Sequence, residues 1–155
     1  MGVYARILLA SDGTREGLAA LREGALAARA FGAEVYLLII EREPFAIKVA
    51  DGIHPLPVRA HLAPLLDQGL ARLRRLGLRA SGTVEAGEPA AVIAAHARGF
   101  RADLVMVGHR RQSLLDRWWS GSSGAYLIDS VGCSVLVCRM QVSDAEFEAQ
   151  IGAVA

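Results

Sequence analysis

The segment from Gly108 to Ser123, GHRRQSLLDRWWSGSS, contains the residue types that suit the binding of an anion. It begins with a glycine, continues through an arginine-rich stretch, and ends in Gly121, Ser122 and Ser123 at the start of a predicted helix. Glycines let the backbone approach a phosphate closely, and a helix N-terminus offers unpaired N–H donors and the positive end of its dipole. The same glycine and serine would also serve as an ordinary N-cap, and the local sequence supports both interpretations equally.

Asp12 is a second residue whose position suggests chemistry, because it follows the short apolar run Ile7–Ala10 within the sequence Ser-Asp-Gly-Thr. Its carboxylate could accept a hydrogen bond from a nucleotide base or from a ribose hydroxyl. It could equally cap the following helix and close an Asx-turn. Taken without the other segments, the capping role is the better supported one.

Strand-like and helical patterns alternate along the chain and predict the elements that position these segments. Short apolar runs indicate strands, most of them buried on both faces, and the segments between them have helical spacing or helix-capping residues. The predicted strands cover residues 7–10, 35–40, 78–85, 103–107 and 134–138. The predicted helices cover residues 14–31, 62–76, 87–98 and 122–131. Residues 42–56 contain prolines and a glycine without periodicity and are predicted to form the longest loop.

This alternation predicts an α/β fold with a doubly wound, five-stranded parallel sheet. A capping-box pattern at Ser143 and Glu146 predicts a further helix, so we expect one α/β domain over residues 1–140 and a tail helix within residues 141–155. Ligands of open α/β sheets bind at the carboxyl ends of the strands, where the strand order reverses. Those ends correspond to residues 11–14, 40–43, 86–89 and 108–123.

Taken together, these segments resemble the universal stress protein family. The resemblance covers the DGT after the first strand, EVYLLII, GEPAAVIAAHA, DLVMVG and the closing CSVLVCR, and it extends from Ile7 to Arg139. Nucleotide-binding members of that family carry G-x-x-G, nine residues, and then G-S or G-T. Here GHRR at 108–111 is followed by nine residues and then by GS at 121–122, so the spacing is kept and Arg111 replaces the second glycine.

The resemblance, together with the alternation, implies the strand order 3-2-1-4-5 of the adenine nucleotide alpha-hydrolase-like fold. It also implies that Asp12 and the backbone near Ile40 hold adenine and that Gly108 lies beside the ribose. The phosphates would then lie against Gly121, Ser122 and Ser123. ATP or AMP is the ligand that the resemblance implies, with Mg²⁺ as a candidate companion. Family members commonly pair their last strand across a dimer axis, which implies a homodimer through Ser134–Cys138.

Two positions depart from the family pattern. The side chain of Arg111 would either fill the space that glycine leaves for the sugar and phosphate, or reach a phosphate as a bidentate donor. Gly124 stands where binding members often have Ser or Thr and so lacks a hydroxyl. Two hypotheses follow: a non-catalytic regulatory dimer of the stress response that binds ATP or AMP, and a partner-docking module of the same family that has lost nucleotide binding.

The composition limits the classes of partner and the location. With 155 residues, 53% of them hydrophobic, and a net charge of +1, the chain has the size of one domain and no strong field for nucleic acid or for an anionic membrane. Its apolar run at residues 35–40 is far shorter than the ~20 residues of a membrane span. Cys133 and Cys138 make no disulfide framework and the N-terminus has no signal-peptide pattern, so we expect a cytoplasmic protein.

Sequence motifs of the common enzyme classes are missing. The chain has no G-x-G-x-x-G, Walker, G-x-S-x-G, H-E-x-x-H or C-x-x-C pattern, and its four histidines are scattered. The sequence therefore predicts a protein that is not an enzyme and has no metal site of its own. Slow ATP hydrolysis is the minor alternative.

Overall fold

The computed structural model describes residues 2–41, 46–49, 52–55, 58–108 and 127–153. The strands are β1 (Arg6–Ser11), β2 (Glu34–Glu41), β3 (Ala46–Val49), β4 (Gly52–Pro55), β5 (Ala80–Ala86), β6 (Leu104–Gly108) and β7 (Ser134–Cys138). The helices are α1 (Arg15–Ala20), α2 (Arg22–Phe31), α3 (Val58–Arg75), α4 (Pro89–Phe100), α5 (Leu127–Ser130) and α6 (Asp144–Gly152).

Five of the strands form one sheet in the order β5-β2-β1-β6-β7, and all neighbours in it are parallel. Numbered by their place along the chain within this sheet, the strands follow the order 3-2-1-4-5, which confirms the predicted fold. The central strand β1 is buried on both faces. Because side chains alternate along a strand, Ile7 and Leu9 join one apolar cluster, while Leu8 and Ala10 join the other.

The helices cover both faces of the sheet. On the first face, α2, α3 and α6 contribute Ala25, Leu70 and Phe147 to the apolar cluster that contains Leu9. On the second face, α4 contributes Ile93 and α5 contributes Leu127 to the other cluster. The change of face occurs where the chain passes from the β5 side of β1 to the β6 side, so the sheet is doubly wound.

A short hairpin corrects the prediction that residues 42–56 form a loop. Strands β3 and β4 pair antiparallel and form a two-stranded sheet of their own. Gly52 opens β4 and Pro55 ends it, so the residues that indicated a loop stand at the ends of a strand, where glycine and proline are tolerated. The two strands of this hairpin are too short for an alternation of apolar and polar residues to be recognised in the sequence.

The helical segment predicted over residues 14–31 is divided into α1 and α2 at Leu21. The N–H of Leu21 donates to the carbonyl of Leu18 at 3.2 Å, a bond that spans three residues and tightens the end of α1. Helix α2 then ends at Gly32, whose φ of 66° is left-handed, as the sequence predicts.

Helix α6 begins with the predicted capping box. The Ser143 hydroxyl accepts a hydrogen bond from the Glu146 N–H at 3.1 Å, and the Glu146 carboxylate accepts one from the Ser143 N–H at 2.7 Å. Phe147 and Ile151 then bury their side chains in the cluster on the α2–α3 face. No described helix is long and apolar enough to cross a bilayer.

Candidate functional site at the carboxyl edge of the sheet

Asp12 and Gly108 lie at the carboxyl ends of the two strands that flank the reversal of strand order. The paired segment of β1 and β6 ends at Ala10 and Val107, and Gly108 follows directly as the last residue of β6. The chain leaves β1 toward β2 and reaches β6 only after it has crossed to the other side, so the space between β1 and β6 is the topological switch point. The structure therefore places these two sequence-predicted residues at the edge where α/β sheets bind ligands.

The Asp12 carboxylate is held by the residue two positions later. Its Oδ1 accepts hydrogen bonds from the Thr14 backbone N–H at 3.0 Å and from the Thr14 hydroxyl at 2.7 Å. The Asx-turn that the sequence offered as one alternative is therefore present. The helix cap is Thr14 rather than Asp12, because Thr14 Oγ1 accepts from the Gly17 N–H at 2.9 Å.

The second carboxylate oxygen of Asp12 is available for another donor. Within the described part of the chain, no hydrogen bond or ion pair reaches Oδ2, and the side chain is partly exposed. This oxygen can accept a hydrogen bond from an amino group or a hydroxyl. Asp12 thus combines an anchored position with an unused acceptor.

Gly17 is a site residue that the sequence interpretation missed. A Cβ at this position would collide with Oδ1 of Asp12, so glycine makes room for the carboxylate over the first turn of α1. The available signal is the spacing Thr14-x-x-Gly17, in which the capped N–H belongs to a residue without a side chain. Helix propensity alone disfavours glycine there by about 1 kcal/mol, which makes its presence informative.

The turn after β1 requires glycine at position 13. The φ of Gly13 is +78°, and a Cβ there would lie 2.9 Å from Leu62 Cδ2 and 3.0 Å from Ile39 Cγ2. The Gly13 N–H also donates to the buried hydroxyl of Ser11 at 3.2 Å. The backbone that carries Asp12 is therefore fixed from both sides.

Gly108 has a packing role that the sequence interpretation did not foresee. A Cβ at Gly108 would collide with the Cβ of Ala20 at the end of α1. Because Gly108 has no side chain, the end of α1 can pack closely against the end of β6. The position beside the ribose that the resemblance implies stays a prediction.

Ile40 lies at the same edge, at the end of β2, but its side chain belongs to the core. It is 1% exposed and packs in the cluster on the α4 face, so only its backbone could contact a ligand. The next residue, Glu41, accepts a hydrogen bond at its carbonyl from the Gly87 N–H at 3.0 Å. The Glu41 carboxylate also lies 3.1 Å from Nε2 of His61, a pairing that the sequence did not indicate.

The remaining predicted site residues lie outside the described residues. These are Arg111, Gly121, Ser122 and Ser123. The structure thus places Asp12, Gly108 and the end of β2 at the same edge of the sheet. That they hold base and sugar, as the resemblance implies, stays a prediction. Within the described ranges, no group of three or more histidine, cysteine, aspartate or glutamate side chains could hold a metal ion.

A separate polar cluster extends along β2 and β5 and includes His96 of α4. The Tyr36 hydroxyl is 3.3 Å from Nδ1 of His96, and Nε2 of the same ring is 3.4 Å from Glu85. Burial, and next the negative charge of Glu85, raise the pKa of Tyr36 above its ordinary value. Tyr36 lies near the start of β2 and Glu85 pairs with Ile40 near its end, so the cluster extends along the sheet toward the carboxyl edge that carries the candidate site.

The sequence matches a known protein family over most of its length. A profile of the universal stress protein family matches residues 4–139. The chain belongs to the universal stress protein family. A universal stress protein of Methanocaldococcus jannaschii is 27% identical over 142 residues, covering 88% of this chain and 83% of that protein.

Solved universal stress proteins share the fold. One, crystallised in complex with cAMP, matches with a TM-score of 0.64 and 20% identity over 86% of this chain and 95% of that chain. Another, from Archaeoglobus fulgidus in complex with dAMP, matches with a TM-score of 0.61 and 20% identity over 88% of this chain and 99% of that chain. These similarities establish the adenine nucleotide alpha-hydrolase-like fold that the resemblance implied.

Proposed function

We propose that this universal stress protein binds an adenine nucleotide at the carboxyl edge of its sheet and acts as a non-catalytic regulatory homodimer in the stress response. The observation that carries the proposal is the Asp12 carboxylate at the switch point. Its Oδ1 is anchored by Thr14, and no described residue bonds its Oδ2. The amino group of adenine or a ribose hydroxyl would donate to that oxygen. A cytoplasmic location belongs to the same proposal.

Two further observations support an adenine nucleotide. The similar structures in complex with cAMP and dAMP hold a ligand with an adenine base in the same fold. In this chain, Gly17 leaves room for the Asp12 carboxylate over the first turn of α1, and Gly13 supplies the left-handed turn that carries Asp12. The acceptor is therefore held in one position at the switch point, where the amino group of adenine would donate to it.

The phosphate half of the proposal rests on the sequence. Gly121, Ser122 and Ser123 would donate backbone and hydroxyl hydrogen bonds to phosphate oxygens, and Mg²⁺ would accompany the phosphates of ATP. We favour Arg111 as a phosphate clamp, because the loop has no nearby acid before Asp116. Arg111→Gly should then weaken ATP binding by about 1.5–3 kcal/mol, measured by titration calorimetry. Tighter binding by that variant would show that the arginine blocks the site.

The proposal that the protein is not an enzyme rests on its sequence, which carries no motif for a nucleophile, a general base or a resident metal. We expect bound ATP to persist without conversion to ADP. Incubation of the protein with ATP and Mg²⁺, followed by chromatography of the nucleotides, tests this. Release of ADP at a rate that depends on Asp12 would contradict it.

The homodimer is proposed through β7, which lies at one end of the sheet. Its central residues Val135, Leu136 and Val137 are only partly buried, and an apolar edge strand of this kind is a surface for pairing. Light scattering should report about twice the 16.5 kDa of the chain. Leu136→Asp should shift the protein to a monomer, because pairing would bury the charge. A wild-type monomer at micromolar concentration would refute the dimer.

The second candidate, a docking module without nucleotide binding, is favoured by the arginine at position 111. Titration calorimetry with ATP and AMP separates the two functions. We expect both ligands to bind and Asp12→Asn to weaken AMP binding about tenfold or more. This variant keeps a carbonyl oxygen for the Asx-turn and changes only the charge and the second acceptor.

Asp67→Asn is the matched control, since Asp67 is an exposed acid on α3. It should bind AMP like the wild type. If neither ATP nor AMP binds the wild-type protein, the nucleotide proposal is wrong and the docking module replaces it.

A further inference from the structure

A cavity of about 120 Å³ lies between the sheet and the helices α2, α3 and α6. Its walls are largely apolar and are formed by Leu9, Leu21, Ala25, Leu37, Leu73 and Phe147. An engineered apolar cavity of about 150 Å³ holds a benzene molecule, so a cavity of this size suits an apolar group of about six carbons. None of its lining residues belongs to the candidate nucleotide site.

The polar residues that line this cavity are Gln68 and two arginines, Arg22 and Arg72. The side chains of Arg22 and Arg72 are 20% and 31% exposed. The Nε of each is buried and has no hydrogen-bond acceptor. Buried donors without an acceptor are uncommon in native proteins, and two of them on residues lining one cavity point to an acceptor supplied from outside the chain.

Both arginines use their Nη2 groups in ion pairs with carboxylates of α6. Asp144 accepts from Nη2 of both Arg22 and Arg72, at 3.2 and 2.8 Å. Glu148 accepts from Arg72 and Arg75, each at 3.1 Å. These ion pairs engage the Nη2 groups and leave the Nε–H groups of Arg22 and Arg72 without an acceptor.

We propose that this cavity binds a small monocarboxylic acid with an apolar group of about six carbons. The apolar group occupies the space below Phe147, and the carboxylate binds Arg22 and Arg72, whose Nε–H groups supply the unmatched donors. Guanidinium groups bind carboxylates through paired, charge-assisted hydrogen bonds, which selects an acid over a neutral analogue. The site is independent of nucleotide binding.

The test compares heptanoate, whose apolar chain has six carbons, and its shorter homologue hexanoate with hexanamide, which has the same chain as hexanoate and no charge. Binding to the full chain is followed by titration calorimetry and by the NMR signals of the Phe147 ring and the Leu21 methyl groups. We expect hexanoate to bind about tenfold more tightly than hexanamide. Equal binding of the two, or no binding of hexanoate at about 10 mM, would overturn the proposal.

Two variants separate recognition of the acid from filling of the cavity. The double variant Arg22→Lys, Arg72→Lys keeps both positive charges and removes the Nε donors. Hexanoate binding should therefore fall about fivefold to tenfold, while hexanamide binding stays the same. The control is Arg29→Lys. Arg29 also contacts α6, through Gln150, but does not line the cavity. Hexanoate affinity that is unchanged in the double variant would contradict the assigned head-group position.

Ala25→Ile fills the space and should abolish binding of both compounds. Thermal unfolding establishes that this variant is folded before it is titrated. If it does not fold, the comparison of hexanoate with hexanamide on the wild-type chain decides alone. A folded Ala25→Ile protein that binds hexanoate normally would place the ligand elsewhere and overturn the proposal.

Discussion

Two polar clusters, one at the carboxyl edge of the sheet and one along the seam between α6 and helices α2 and α3, are built on opposite principles. At the edge, Asp12 is held by Thr14, two residues away, and keeps one oxygen for a ligand. At the seam, Arg22 bonds Val142 and Asp144, which are 120 and 122 residues away. Local hydrogen bonds orient the Asp12 carboxylate, whereas long-range pairs fasten the C-terminal helix to the core.

The two regions also differ in apolar burial. The seam buries Phe147 and Ile151, which are 3% and 7% exposed, and Arg72 lies 4.8 Å from the centre of the Phe147 ring. The turn that carries Asp12 buries only small residues, Ser11 and Gly13. Stability should therefore depend on the seam, and ligand affinity should depend on the edge.

The largest effect on stability is expected from Phe147→Ala at the seam. Removing a buried ring from a packed core should lower the free energy of unfolding by about 3–5 kcal/mol, measured by denaturant titration. AMP affinity of the folded variant should stay unchanged, which separates the two regions. Ile128→Ala, at a residue that is 59% exposed, is the control and should change stability by less than about 0.5 kcal/mol.

Gly13→Ala should affect both stability and binding, because it changes the backbone that carries Asp12. The left-handed φ and the close approach to Leu62 and Ile39 should together cost about 2–4 kcal/mol. AMP affinity should fall as well. Gly32→Ala has a left-handed φ of +66° but no atom within 4 Å, so it should cost only about 1–2 kcal/mol and leave AMP binding intact. Equal effects of the two variants on AMP binding would break the comparison.

Asp144→Asn should produce a smaller loss at the seam. Asp144 pairs with Arg22 and Arg72, but its side chain is 63% exposed, so the loss of both pairs should cost about 0.5–1 kcal/mol. Because salt screens exposed charges, the difference from the wild type should shrink in about 1 M NaCl. Asp67→Asn is the control for the change of charge. A loss that persists at high salt would contradict an electrostatic origin.

The smallest effect is a pH dependence of α6. In the capping box, the hydrogen bond with the backbone N–H of Ser143 and, next, the hydrogen bond with its side chain lower the pKa of Glu146 below its ordinary value. A lowered pKa in the folded state means that the stabilisation is present above the ordinary value and is lost as the pH falls through the folded value. Amide hydrogen exchange in α6 should therefore accelerate in acid, and Glu146→Gln should remove part of that dependence. The same acid response in the variant would assign it to other groups.

The strands of the sheet were predictable because β1, β2 and β6 are buried on both faces and so appear as apolar runs. Their order came from the resemblance to the family together with the alternation of strands and helices. Three features at helix ends were predictable because each depends only on neighbouring residues. They are Gly32 at the end of α2, Pro89 at the start of α4 and the Ser143–Glu146 capping box of α6. The short hairpin of β3 and β4 was not predictable, because Gly52 and Pro55, residue types that usually mark a loop, lie at the two ends of β4.

The details of the candidate site could be predicted only in part. The position of Asp12 followed from the end of β1, but the division of roles between Asp12, Thr14 and Gly17 depends on the path of the turn in space. The contact of Gly108 with Ala20 joins residues far apart in the chain, and no local pattern encodes it. The docking of α6 on Arg22 and Arg72 was hidden for the same reason.

The most direct test of the proposed function is an NMR titration of the ¹⁵N-labelled protein with AMP. If the nucleotide binds at the carboxyl edge, the amide signals of Gly13, Thr14, Gly17 and Gly108 should move with a common saturation curve. The amides of α6 around Phe147 should stay in place. Shifts confined to α6, or no shifts at saturating AMP, would contradict binding at the switch point beside Asp12.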